Sequence, residues 1–116
     1  MSISSPHPSD IANLTSYRMR EYDRVLASLK HAHARHQNGP AILSLVNELA
    51  CLAETILRYR CDESGEPLST GQARIDQFFR DLTAGIDRIA RTNGTLSPGF
   101  LDLVSRLPVE VARAAA

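Results

Sequence analysis

The run Ala41 to Tyr59, AILSLVNELACLAETILRY, constrains this chain more than any other stretch. At about 100° per residue its apolar side chains cover more than half of a helix circumference, from Ile42 and Leu43 to Leu57 and Tyr59. One neighbour covers a stripe, not half a cylinder, so this helix needs at least two partners. Ser44, Asn47, Glu48 and Glu54 interrupt the run, and on that ground a membrane span is not expected.

The flanking sequence supplies the partners. A helix is expected over about 10–38, with Ser9 as N-cap and Gly39 in the left-handed position after its end. Ile11, Leu14, Tyr22, Val25, Leu26, Leu29, Ala32, His33 and His36 share its apolar face. Arg18 falls on that stripe, and Asp62 or Glu63 is the expected counter-ion. Pro40 suits the first position of the central helix, about 41–60. A loop with Gly65 and Pro67 follows. Ser69 with Gln72 reads as a capping box for a third helix over about 70–93. Its stripe is Ile75, Phe78, Phe79, Leu82, Ile86 and Ile89, with Gly85 leaving room for a close approach. Asp76 with Arg80 and Asp87 with Arg91 are spaced to form ion pairs along the helix. Ser97-Pro98 then opens a short fourth helix, about 98–107, with Phe100, Leu101, Leu103, Val104 and Leu107 apolar.

These elements predict an all-α fold. It is an antiparallel up-down-up three-helix bundle whose end, near Ile42 and Ile89, is closed by the fourth helix. Turn positions put Tyr22 near Leu57, Leu49 against Leu82 and Leu45 against Ile86. Residues 1–8 read as a disordered arm, 9–107 as one domain, and 108–116 as a frayed or helical tail.

The chain is 116 residues with 13 basic and 13 acidic side chains, so no net field draws it to nucleic acid or an anionic membrane. The N-terminus has neither the charged nor the apolar segment of a secretory signal, and a cytoplasmic location is expected. Cys51 and Cys61, both on or near the central helix, lie roughly 15 Å apart at about 1.5 Å per residue, too far for a disulfide. Cys51 has no neighbouring base to make it a nucleophile.

His33 and His36, a turn apart, could supply two ligands to a metal, and a ligand-binding bundle built on them is one alternative. Boundary histidines near a helix C-terminus, favoured by the helix dipole, are the preferred reading. Arg18, Arg20, Arg24, Lys30 and Arg35 make the first helix basic, and a DNA-associated regulator is a second alternative. Interleaved Glu21 and Asp23 make nucleic acid the less favoured partner. Glu48 and Glu54 point apart, so no paired carboxylates arise. No catalytic, cofactor or metal site is assigned. The expected function is non-catalytic contact with protein, either a second copy of the chain or another partner, as an adaptor or regulator. Leu52, Ile56 and Tyr59 of the central helix and the Phe78/Phe79 edge of the third are the candidate interface residues, as apolar surface expected to stay exposed.

Overall fold

The computed structural model describes the backbone of residues 8–58 and 71–107, and side chains from residue 16 onward within these. Residues 1–7 of the expected arm, the loop and the tail lie outside the described residues, as do Tyr59, Cys61, Asp62, Glu63 and Ser69. Four helices account for most of the described chain, and there is no strand among the described residues: α1 (Pro8–Ala34), α2 (Pro40–Arg58), α3 (Gln72–Arg91) and α4 (Pro98–Ser105). The all-α class is as expected.

The helix ends differ from expectation in instructive ways. α1 is under way at Pro8, so Ser9 lies within the helix and not at its cap. It also stops at Ala34, before Gly39. His36 takes the left-handed conformation (φ 56°). Its N–H donates to the His33 carbonyl at 3.0 Å, and the Gln37 N–H donates to the Ala32 carbonyl at 2.9 Å. These two bonds satisfy carbonyls that the last turn would leave open, the bonding pattern of a Schellman motif. Asn93 (φ 58°) plays the same part for α3: the Gly94 N–H donates to the Ile89 carbonyl at 2.9 Å. Gly39 instead precedes α2 and accepts from the N–H of Ile42 at 3.1 Å, with Pro40 opening the helix as expected. α3 begins at Gln72 behind Gly71 (φ 77°), with no side-chain cap from Gly71. Ser97 caps α4 as expected, its hydroxyl accepting from the Phe100 N–H at 3.2 Å.

The two turns meet. The Gly39 N–H donates to the Asn93 carbonyl at 2.8 Å, and both Gly39 and Gly94 are buried. This contact ties the α1–α2 connection to the α3–α4 connection.

The fourth helix does not close the end of three others. α2 packs on α1 and α3, and α4 packs on α3 and α1, while among the described residues the α1 and α3 backbones do not approach one another. α4 is therefore a fourth wall filling the gap between α1 and α3. Two contacts fix it there. Phe100 covers Gly85 midway along α3. The Tyr22 hydroxyl, fully buried, donates to the Val104 carbonyl at 2.7 Å.

The core is then continuous. Tyr22, Val25, Leu26, Leu29 and Ala32 come from α1, and Ile42, Val46, Leu49, Ala53, Ile56 and Leu57 from α2. Ile75, Phe78, Leu82 and Ile89 come from α3, and all five expected apolar residues of the α4 segment are buried, joined by Leu96. α2 does have the length and apolar composition to cross a membrane, which its four polar interruptions were expected to prevent. In the bundle its apolar face is the centre of the core.

The Tyr22 bond carries a prediction. It adds to the backbone N–H that the Val104 carbonyl already accepts at the end of α4. Tyr22→Phe should cost about 0.5–1.5 kcal/mol, the net worth of one intramolecular hydrogen bond. Burial first, and the Asp23 charge second, push the phenol well above its ordinary 10.0. A group whose pKa is raised on folding contributes stability that is whole below pH 10.0 and lost as pH rises beyond it. Urea unfolding across this alkaline range should show the wild type losing stability more steeply than the Tyr22→Phe variant. Parallel pH curves would remove Tyr22 as the cause.

Candidate interaction surface

Which edge of α2 faces which neighbour follows from two contacts. Glu48 is reached by the Arg24 guanidinium at 3.4 Å, so the Glu48 edge faces α1. The Arg24–Glu48 pair is centred on His36, where α1 turns, and not on Gly39. Glu54, Leu57 and Arg58 share a cleft of about 350 Å³ with Gln72, Ile75, Asp76 and Phe79, so that edge faces α3. Helical phase places Leu45 and Leu52 beside Glu48, on the α1 edge, so Leu45 does not lie against Ile86.

The four described candidate interface residues therefore do not form one patch. Ile56 and Phe78 are core residues, 2% and 5% exposed, and are closed to a partner. Leu52 is half-buried on the α1 edge of α2. Phe79 is half-buried in the α2–α3 cleft, where its ring meets that of Phe78 edge-on at 5.8 Å between centroids. Tyr59 lies outside the described residues. Periodicity had marked these positions as apolar surplus, but it carries no information on which edge each neighbour takes.

A concavity with an apolar floor, not anticipated from the sequence, lies between α3 and α4, about 370 Å³ in volume. Gly85, Ile89, Leu96, Phe100 and Leu103 form its floor, and Asp81, Arg88, Thr92, Thr95 and Ser97 bring polar groups to its lining. Gly85 was the one sequence signal for it. The expected close approach of a backbone is instead the Phe100 ring, which would lie 2.7 Å from a β-carbon at position 85. The hydroxyls of the lining are largely committed to local backbone. Thr92 Oγ1 donates to the Arg88 carbonyl at 3.1 Å and Thr95 Oγ1 to the Thr92 carbonyl at 2.8 Å. Ser97 Oγ accepts from the Phe100 N–H.

The other polar candidates are dispersed. His33 lies in the last turn of α1 and is half-buried, whereas His36 stands outside the helix in a left-handed conformation, exposed. The helical i, i+3 geometry assumed for a ligand pair is thus not present. Among the described residues no three His, Cys, Asp or Glu side chains come together as a metal set. Cys51 is a free, exposed thiol. On the basic helix, Arg24 is held by Glu21 at 2.9 Å as well as by Glu48, which offsets its charge toward a polyanion. Comparison with protein-family models, with curated proteins and with solved structures gives no match.

Proposed function

We propose that this chain is a non-catalytic helical protein of the cytoplasm that acts through protein–protein contacts, as a homo-oligomeric adaptor or regulator. The α3–α4 groove carries this reading. An apolar floor with a polar rim is the anatomy of a contact site, and an open groove between two helices suits the apolar side chains of a partner helix. The hydroxyls of its lining are spent on capping and backbone bonds, which leaves it suited to holding a partner and not to chemistry. The free thiol of Cys51 agrees with a reducing compartment.

The homo-oligomeric part has a direct test. Size-exclusion chromatography with light scattering, run over a wide concentration range, should give a mass approaching twice the 12.7 kDa of one chain. A single species at the monomer mass at the highest concentration would remove self-association from the proposal.

A further inference from the structure

The outer face of α3 bears a charge pattern that is complementary to itself. Asp76, Arg80, Thr83, Ala84, Asp87 and Arg91 are all exposed, and at about 100° per residue they fall within roughly a third of the helix circumference. Read along the helix, the face runs acid, base, two small uncharged residues, acid, base. From the spacing, each acid should pair with the base four residues on. The structure does not form those pairs. The Arg80 guanidinium donates to Gln77 Oε1 at 2.8 Å, and Asp76 Oδ1 accepts from Gln72 Nε2 at 2.9 Å. Neither Asp76–Arg80 nor Asp87–Arg91 is an ion pair among the described residues. In the middle of this face is a shallow, open depression of about 590 Å³, lined by Asp76, Phe79, Arg80, Thr83, Ala84 and Asp87.

We infer that this face is the self-association surface, and that its occupant is α3 of a second copy lying antiparallel across a two-fold axis between Thr83 and Ala84. This inference rests on the homo-oligomeric reading and places the contact between copies on the outer face of α3, next to the α3–α4 groove, with Ala84 lining both. The axis sets Asp76 opposite the partner's Arg91 and Arg80 opposite the partner's Asp87, each twice by symmetry. Thr83 falls opposite the partner's Ala84, and these small side chains let the helices approach to the roughly 8–10 Å of packed pairs. A two-fold contact requires one patch to complement itself, and this sequence of charges does so in the antiparallel sense. The parallel arrangement sets Asp76 on Asp76 and Arg80 on Arg80, which repel, so the same charges select the orientation.

Sedimentation equilibrium on the full chain tests the surface through charge reversals. Arg80→Asp sets a carboxylate against the partner's Asp87 at two places, and Asp87→Arg sets two cations together. Each should weaken the dimer about tenfold or more, with helix content unchanged because both sites are exposed. The double variant Arg80→Asp with Asp87→Arg restores opposite charges across the axis and should return the affinity to within about threefold of wild type. Raising NaCl from about 50 to 500 mM should weaken the wild-type dimer. A wild-type dimer that both single reversals leave intact overturns this surface while the homo-oligomeric reading stands. Single reversals that weaken it without rescue in the double variant overturn the antiparallel pairing. A wild-type chain that is monomeric throughout overturns the surface and the homo-oligomeric reading together.

Discussion

Gly94→Ala should lower the stability of the fold by about 2–4 kcal/mol, a fall of roughly 10–20 °C in Tm for a domain of this size. Two costs add. Gly94 holds φ at +85°, a conformation that a residue with a β-carbon adopts only under strain. The new methyl would also press on backbone, meeting the Gly39 carbonyl oxygen and, at 2.7 Å, the Gly39 nitrogen. Backbone cannot rotate away as a side chain can. The contact is the one that ties the two connections of the bundle together, so its loss is felt by all four helices. Gly99→Ala is the control: nothing lies within 4 Å of its β-carbon position, and alanine favours a helix by up to about 1 kcal/mol. Thermal unfolding followed by circular dichroism should show Gly94→Ala melting far below wild type and Gly99→Ala at or above it. A Gly94→Ala chain within a degree or two of wild type would mean that the turns are not locked together.

Phe100→Ala should cost about 3–5 kcal/mol, the range for a large ring removed from a packed core. Phe100 is only 5% exposed and covers the gap that Gly85 leaves in α3. The pair has a signature beyond the size of the single effect. In the wild type, Gly85→Ala drives a methyl to 2.7 Å from one ring carbon of Phe100 and 3.2 Å from another. Overpacking of this kind costs about 1–3 kcal/mol, offset by about 1 kcal/mol of helix propensity. With Phe100 already removed, the clash is gone and only the propensity gain remains. Gly85→Ala should then stabilise the Phe100→Ala variant. Urea unfolding of the four proteins in a double-mutant cycle reads this reversal of sign directly. The same sign in both backgrounds would show that α4 is not seated on Gly85.

Much of the fold is legible in local pattern. The apolar stripe of α3, the five core residues at 100, 101, 103, 104 and 107, and the Ser97-Pro98 start all follow from spacing and capping chemistry. The end of α1 does not. Gly39 looks like the natural terminator, yet His36 takes the left-handed position, because bonds from Gln37 and His36 close the last turn four residues sooner. That early stop removes His36 from the helix, and with it the paired-histidine geometry. The candidate interface was less legible. Leu52, Ile56, Phe78 and Phe79 are apolar in the right period, but the period is silent on whether a position lies at the centre of a buried arc or on its edge. Ile56 and Phe78 prove central, while Leu52 and Phe79 lie on edges facing different neighbours.

By itself the sequence determined that there would be four helices, roughly where they lie and which faces are apolar, because these depend on backbone preferences and periodicity within a few turns. Only the tertiary structure decided that the fourth helix is a wall and not a lid. That depends on a Tyr22 hydroxyl finding a carbonyl 82 residues away and on a phenylalanine ring finding the one gap in α3. It also decided how α2 is covered: α1 takes the Glu48 edge and α3 the Glu54 edge. The apolar face of that helix is thereby largely buried within one chain.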